Sequence, residues 1–298
     1  MVLSKALDIR LIKGSSADAP ELASDLVGQV TLMVTSPPYH NAISYKSHSK
    51  DANANYRTRS DLNYGTQYMP FLNSVWKASL EMLKPGGIMA INVGSVLEDG
   101  YHYPLAEDII GEILEKYEVE FLRSTYWHKV TAGVKRAGSV IQHPYPGYWH
   151  PNIMTEHVML FSKPGAHIQL NNDYPEEWNN PIWDLAPVPP RTIDHPAPYP
   201  EDLPHRLIRM FTRTGDWVLD PFNGAGTTTK AAYDLGRNGL GFDIESKYLA
   251  LAKKRLTQPS LVRESQLQIF PVSVKDFVPK ASKGKTRQGS GLKSVRNG

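Results

Sequence analysis

The stretch Asp216-Trp-Val-Leu-Asp-Pro-Phe-Asn-Gly-Ala-Gly-Thr-Thr-Thr229 decides the fold class of this chain. A short apolar strand is predicted to end at Asp220. Gly224 and Gly226 then allow the backbone to pass close to a ligand, and Thr227 begins a helix. Because ligands of α/β sheets bind beyond the carboxyl ends of strands, this loop is predicted to line a binding site.

A second strand end supports the same interpretation. About 17 residues beyond Gly226, an apolar run ends in Gly241-Phe-Asp243. An acidic residue at this place accepts hydrogen bonds from ribose hydroxyls in nucleotide-binding βαβ units. Thr229 stands where the dinucleotide pattern has its third glycine, and no Gly-Lys-Ser/Thr follows, so a pyrophosphate is poorly supported. The pattern therefore predicts a nucleoside cofactor that carries no phosphates.

Outside this unit, short apolar runs alternate with helix-like patterns. This alternation predicts an α/β fold, a doubly wound and mostly parallel sheet with helices on both faces. The predicted strands are Leu7–Ile12, Val30–Thr35, Ile88–Val93, His157–Phe161, Trp217–Leu219 and Leu240–Phe242. The predicted helices are Met69–Leu83, Tyr103–Glu115, Leu203–Phe211, Thr228–Leu235 and Lys247–Leu256.

A second functional loop is predicted after the strand Val30–Thr35, at Ser36-Pro37-Pro38-Tyr39. The two prolines fix φ and remove two backbone N–H donors, and each extends the residue before it. The Ser36 hydroxyl, two carbonyls and the Tyr39 ring would then form a rigid rim rich in hydrogen-bond acceptors. Such a rim suits an amino group on a flat ring, although a plain strand exit is the simpler alternative for the tetrapeptide alone.

Long polar segments interrupt the alternation at about 40–67 and 129–155, and Asn171–Pro200 is proline-rich and predicted to be irregular. Loops of this length in a compact domain are usually functional or disordered. The basic residues of the first two segments are phosphate contacts or part of an ordinary solvated surface. We predict one domain over 1–260, an extension over 261–279 and a flexible basic tail over 280–298, where six basic residues face no acidic ones.

Composition excludes several chemistries. The 298 residues include no cysteine, so disulfides, thiolate metal sites and cysteine nucleophiles are impossible. No metal is predicted, because His128, His143, His150 and His157 lack the spacing of a zinc site. No run of about 18 apolar residues and no secretory signal is found, so we expect a cytoplasmic, nucleoid-associated protein without a membrane partner.

Together the two loops resemble those of the S-adenosylmethionine-dependent amino-methyltransferases of DNA. Their order, with Ser36-Pro-Pro-Tyr39 before the glycine loop, is similar to the β class of that family. Further segments resemble the family over residues 5 to 257: Trp76, Leu83-Lys-Pro-Gly-Gly87, Tyr126-Trp-His-Lys129, Glu156–Lys163 and His195–Leu203. One departure is Ser15, which follows Gly14 where many relatives carry an acidic residue, so the contact to the adenine ring stays unassigned.

The resemblance implies a Rossmann-like methyltransferase fold with long DNA-facing loop insertions, S-adenosylmethionine as cofactor and double-stranded DNA as substrate. A homodimer and a cognate restriction endonuclease are the further partners that it brings in. The residues implied at the cofactor are Asp220, Pro221, Phe222, Gly224, Gly226, Thr227, Asp243 and His195. Those implied at the target base are Ser36, Pro37, Pro38 and Tyr39. The candidate DNA contacts are Lys46, Arg57, Arg59, Lys129, Lys135 and Arg136.

The expected reaction is methyl transfer to an exocyclic amine in a short DNA sequence, as in a restriction–modification system. Methylation of cytosine at carbon 5 is excluded, because that reaction proceeds through a cysteine adduct. Among relatives, Ser at the position of Ser36 mostly accompanies cytosine N4, whereas Asp or Asn accompanies adenine N6. N4 of cytosine is therefore preferred, and N6 of adenine stays open. So does a different class of protein, a DNA-binding module that holds the cofactor without transferring a methyl group.

Overall fold

The computed structural model describes residues 7–38, 64–98, 101–130, 154–166, 174–189, 192–193 and 199–259. Met1–Leu267 forms one compact unit, and Gln268–Gly298 forms a second unit that lies outside the described residues. The predicted boundaries at 260 and 279 stay predictions. Within the described ranges, no helix is long and apolar enough to cross a membrane.

The described strands and helices alternate along much of the chain. The strands are β1 Ile9–Lys13, β2 Val30–Thr35, β3 Leu83–Gly94, β4 Val96–Glu98, β5 Tyr101–Tyr103, β6 Glu120–Lys129, β7 Thr155–Ser162, β8 Ile182–Leu185, β9 Trp217–Asp220 and β10 Asn238–Asp243. The helices are α1 Ala19–Leu22, α2 Met69–Met82, α3 Leu105–Lys116, α4 Asp202–Phe211, α5 Thr227–Asp234 and α6 Ser246–Arg255. A π-helical turn, Tyr64–Tyr68, precedes α2.

Eight of these strands form one sheet in the order β1-β10-β9-β2-β3-β7-β6-β8, whereas β4 and β5 pair separately. All neighbours in the large sheet are parallel except for β7, which runs antiparallel to both β3 and β6. Two cores cover its faces. Trp76 of α2 and Ile109 of α3 belong to one core, and Leu207 of α4 and Ala232 of α5 belong to the other. The prediction of a doubly wound, mostly parallel α/β sheet is confirmed.

The sheet has its topological switch point between β2 and β9. The crossover from β9 through α5 leads to β10 on one side, and the crossover from β2 through α2 leads to β3 on the other side. Because the two crossovers diverge, a crevice opens between the loops that follow β2 and β9, and this is where such sheets bind ligands.

The structure corrects the prediction that Asn171–Pro200 is irregular. Ile182–Leu185 forms β8 and pairs in parallel with β6. Trp183 and Leu185 are buried while Ile182 is exposed, which is the alternation of a strand covered on one face. The indole of Trp127 also donates a hydrogen bond to the Leu185 carbonyl at 2.9 Å. This four-residue alternation was present in the sequence, but the surrounding prolines obscured it.

Candidate active site

The loop between β9 and α5 is shaped by its glycines. Gly224 and Gly226 have φ values of 46° and 79°, in the left-handed region that favours glycine. A Cβ on Gly226 would lie 2.6 Å from the Cβ of Ala252 in α6, so the loop also depends on close helix packing. Asn223 ties the loop to β10, because its backbone N–H donates to the Phe242 carbonyl at 2.9 Å.

Asp243, at the end of β10, faces this loop. Its Oδ2 accepts from the Gly224 N–H at 3.0 Å, and its Oδ1 accepts from the Glu245 N–H at 2.7 Å. Burial raises the pKa of Asp243 to about 6, although both hydrogen bonds oppose that shift. A carboxylate has about four lone-pair positions, so two acceptor positions remain for a ligand with hydroxyl groups. The Gly14 N–H, donating to the Asp243 carbonyl at 3.1 Å, brings the end of β1 to the same place.

Asp220, at the end of β9, is buried and accepts several hydrogen bonds. Its Oδ1 accepts from the Thr35 hydroxyl at 2.6 Å and from the Phe222 N–H at 3.0 Å, and its Oδ2 accepts from the Tyr199 hydroxyl at 3.3 Å. Burial raises the pKa of Asp220 and outweighs these hydrogen bonds, which lower it. Tyr199 also bonds to the Thr228 hydroxyl of α5. The carboxylate therefore joins β2, β9 and α5.

The hydrogen bond from Thr35 to Asp220 brings the two predicted loops together. Thr35 is the last residue of β2, and Ser36-Pro37-Pro38 follows it directly. The Thr228 hydroxyl also donates to the Val34 carbonyl at 3.3 Å. The diproline corner and the glycine loop thus open at the same edge of the sheet, at the switch point between β2 and β9.

Several residues that support this site were not predicted. The buried Tyr68 hydroxyl donates to the Pro38 carbonyl at 2.9 Å, which anchors the diproline corner to the start of α2. Arg255 of α6 donates to the Ala225 carbonyl at 2.9 Å and pairs with Glu201, so a buried ion pair supports the glycine loop from below. Phe222 packs against Trp76, with the ring centroids 6.2 Å apart.

The Lys129 prediction is wrong in its physical setting. Its amine lies 2.5 Å from Glu156 Oε1, and its side chain is 9% exposed, so it is held in a buried ion pair and is not presented to DNA phosphates. Lys129 is also the last residue of β6, so the predicted loop at 129–155 begins and ends inside strands. The other predicted site residues outside the described ranges are Tyr39, His195, Lys46, Arg57, Arg59, Lys135 and Arg136.

The residues present fit a nucleoside cofactor. The acceptor positions of Asp243, the side-chain-free backbone at Gly224 and Gly226, and the half-buried Phe222 ring form one cradle at the ends of β9 and β10. The two basic side chains beside this loop are engaged elsewhere, since Lys230 pairs with Asp234 and Arg255 pairs with Glu201. This arrangement suits a ribose with an uncharged ring better than a phosphate. Among the described residues, no group of three or more acidic or histidine side chains could hold a metal ion.

Known proteins share this arrangement. Type II methyltransferase M.MthZI of Methanothermobacter thermautotrophicus is 28% identical over 278 residues, which are 84% of this chain and 76% of that protein. Type II methyltransferase M2.DpnII of Streptococcus pneumoniae is 50% identical over 195 residues, 62% of this chain and 66% of that protein. Type II beta methyltransferase M.BslI of Bacillus sp. (strain NEB-606) is 26% identical over 83% of this chain, but the match spans only 27% of that longer protein.

Two solved structures extend the comparison. TTHA0409 of Thermus thermophilus, a DNA modification methylase complexed with S-adenosyl-L-methionine, is 31% identical with a TM-score of 0.59, over 83% of this chain and 94% of that one. The cytosine-N4-specific PvuII DNA methyltransferase has a TM-score of 0.64 over 88% of this chain and 90% of that one. At 18% identity, the second likeness shows the fold alone.

The model of the DNA methylase family N6_N4_Mtase matches residues 30–254, which include the diproline corner, the glycine loop and Asp243. The resemblance predicted from the two loops is thereby confirmed. This chain belongs to the N6/N4 family of DNA methylases.

Proposed function

We propose that this chain transfers a methyl group from S-adenosylmethionine to an exocyclic amine of a base in DNA, with N4 of cytosine as the acceptor. The observation that carries the proposal is the 2.6 Å hydrogen bond between Thr35 and Asp220. It joins the strand ends that bear the acceptor-rich corner and the nucleoside cradle. Donor and acceptor sites must lie within one crevice for direct transfer, and this bond supports that requirement.

The cofactor side uses residues of β9, β10 and α5. Asp243 would accept hydrogen bonds from the ribose hydroxyls, and Asp220 would lie near the methionyl group. When bound, S-adenosylmethionine supplies an electrophilic methyl group. The complex of TTHA0409 with this cofactor supports its choice here. The remaining cofactor contacts are assigned to Pro221, Phe222, Gly224, Gly226, Thr227 and His195.

The acceptor side uses the corner after β2. The lone pair of a base amine is delocalised into its ring, which makes the amine a poor nucleophile. We assign to the Ser36 hydroxyl and the Pro37 carbonyl the role of accepting the amine's hydrogens, which exposes that lone pair. Positioning and electrostatic stabilisation of this kind supply several kcal/mol without a covalent intermediate. Tyr39 is assigned to stack on the flipped base, whose unstacking costs a few kcal/mol.

The acceptor base and the partners belong to the same proposal. Ser36 supports N4 of cytosine, and N6 of adenine is the alternative. The relatives named type II methyltransferases support a role in marking a short sequence of duplex DNA within a restriction–modification system. A homodimer, a cognate endonuclease and a cytoplasmic, nucleoid-associated location stay with this proposal. So do the phosphate contacts assigned to Lys46, Arg57, Arg59, Lys135 and Arg136.

The test is transfer of a labelled methyl group to DNA, followed by digestion to nucleosides. We expect labelled N4-methylcytosine with wild type. Ser36→Ala should lose about 100-fold or more in transfer rate while it still binds cofactor. Ser74→Ala, which changes an exposed serine of α2, serves as the matched control and should keep the wild-type rate. Label found only in N6-methyladenine would replace cytosine by adenine, and cofactor binding without label in any DNA would favour the binding module.

A further inference from the structure

A buried polar cluster lies on the acceptor side of the crevice, and the proposed reaction gives it no role. Lys129 Nζ is 2.5 Å from Glu156 Oε1, and Asn92 Nδ2 donates to Glu156 Oε2 at 2.6 Å. The side chains of Lys129 and Glu156 are 9% and 8% exposed, and Asn92 is buried. Both oxygens of the Glu156 carboxylate are therefore engaged inside the protein.

Strand alternation places the cluster on one face of the sheet. Ala90, Val158 and Trp127 belong to the core that α4 and α5 cover. Asn92, Glu156 and Lys129 each lie two residues from one of these, toward the edge of the sheet at which β2 and β9 also end. Successive side chains of a strand point to opposite faces, so residues two apart share a face. The cluster thus closes this core at the edge that bears the candidate active site.

The register brings the cluster next to the diproline corner. Thr35 of β2 pairs with Ile91 of β3, and the two strands are parallel. The residues that follow, Ser36 and Asn92, therefore occupy neighbouring register positions. Because the amide of Asn92 donates to Glu156, its orientation is fixed by a carboxylate that Lys129 in turn holds. Hydrogen bonds that involve charged groups are about twice as strong as neutral ones, so this orientation is rigid.

The backbone is adapted to the cluster. Gly94 pairs with Glu156 across β3 and β7. A Cβ on Gly94 would lie 3.2 Å from Glu156 Cγ, tighter than ordinary van der Waals contact, so glycine leaves room for the carboxylate to reach Asn92. A buried ion pair is also a poor source of stability, because well-packed apolar residues in its place are often neutral or stabilising. Core stability therefore does not explain why these three residues are charged and polar.

We propose that Asn92 is a positioning residue for Ser36, and that Glu156 and Lys129 hold it in place. The cluster fixes the end of β3 beside the corner, so that Ser36 and the Pro37 carbonyl stay at the spacing that the target amine requires. This inference rests on the proposed function and adds acceptor-side residues to it. It predicts an effect on the rate of transfer and none on cofactor binding, because Asp243 and the glycine loop lie on the other side of β2.

The test compares Asn92→Ala with the charge-free double variant Lys129→Met/Glu156→Gln in the full chain. Single-turnover transfer is measured with saturating S-adenosylmethionine and DNA, and each rate is normalised to cofactor-binding stoichiometry. We expect both variants to lose on the order of 10–100-fold in rate, the cost of a small misplacement of reacting groups. Their dissociation constants for S-adenosylmethionine should stay within about twofold of wild type. Lys129→Arg keeps the charge and the donors, and it should recover most of the rate.

The matched control is Lys230→Met/Asp234→Asn, which removes another ion pair with a buried lysine, whose side chain is 2% exposed. This pair lies within α5 and has no contact with the corner, so the transfer rate per folded molecule should equal that of wild type. Equal rates for wild type, Asn92→Ala and the Lys129/Glu156 double variant would overturn the inference, as would an equal loss in the α5 control. Wild type that binds cofactor but labels no DNA would instead overturn the proposed function, and the inference with it.

Discussion

The raised pKa of Asp243 makes cofactor binding depend on pH. Both carboxylate oxygens already accept one backbone N–H each, and ribose hydroxyls would donate to the acceptor positions that remain. A protonated carboxyl group turns one of its oxygens into a donor and loses acceptor capacity. The ionised form should therefore bind S-adenosylmethionine more tightly, and binding should release a proton near pH 6, where this group titrates in the free protein.

The magnitude follows from the pKa of about 6. At pH 7 about nine tenths of the Asp243 groups are ionised, and at pH 5 about one tenth are. If only the ionised form binds, the dissociation constant rises about tenfold between these pH values, which is about 1.4 kcal/mol. The α-amino group of the cofactor stays protonated over this range, since such groups titrate near pH 7.7–8.0.

The measurement is isothermal titration calorimetry of S-adenosylmethionine at pH 7, 6 and 5, in two buffers with different ionisation enthalpies. Wild type should show the tenfold weakening and the release of a fraction of a proton near pH 6. Asp243→Asn should bind more weakly at pH 7 and lose this pH dependence. A flat wild-type profile would refute the reasoning. An unchanged slope in Asp243→Asn would assign the titration to another group, of which the buried Asp220 is the nearest candidate.

The sign for stability is opposite. The folded, cofactor-free protein binds the Asp243 proton more tightly than the unfolded chain does, because the pKa rises from 3.8 to about 6. The contribution of this group to the free energy of unfolding is therefore fully present below about pH 4 and is lost as the pH rises through about 6, by about 3 kcal/mol in all. Saturation with S-adenosylmethionine should reduce that loss, because the ligand favours the ionised form.

Two substitutions test the support of the loops. Gly226→Ala combines a φ of 79° with a Cβ 2.6 Å from that of Ala252, so it should lower the free energy of unfolding by more than about 1 kcal/mol and weaken cofactor binding, whereas an unchanged melting temperature and affinity would contradict the close packing. Tyr68→Phe removes only the hydroxyl that donates to Pro38, and single-turnover transfer should fall about tenfold with unchanged cofactor affinity. Tyr117→Phe removes a comparable tyrosine-to-carbonyl bond away from the crevice and is the control for stability; equal transfer rates in the two variants would show that Tyr68 does not position the corner.

Local patterns carried most of the fold prediction. Val30–Thr35 is buried throughout, as a central parallel strand should be, and its apolar run marked both ends correctly. The glycine loop and Asp243 were equally visible, because tight turns and strand-end carboxylates need particular residue types. These features depend on interactions within a few residues, and the sequence displays such interactions directly.

The residues that were missed depend on contacts across the fold. Tyr68 reaches Pro38 from 30 positions away, and Arg255 reaches Glu201 from 54. Tyrosines and arginines are common on surfaces, so their type gave no signal. Lys129 was misjudged for a different reason, because a positive charge beside a polar segment suggested a phosphate contact. Yet Trp127 and Lys129 lie two apart in one strand, and the buried indole shows that the lysine shares its inward face.

The switch point explains why the order of the two loops along the chain does not affect the site. Each parallel strand takes its place through its own crossover, and β2 and β9 are neighbours only because α2 and α5 lead their successors in opposite directions. Thr35 and Asp220, 185 positions apart, then meet at adjacent strand ends. A rearranged gene that kept both crossovers would therefore keep the crevice. The geometry that matters is the adjacency of two strands, and the Thr35–Asp220 bond is its direct mark.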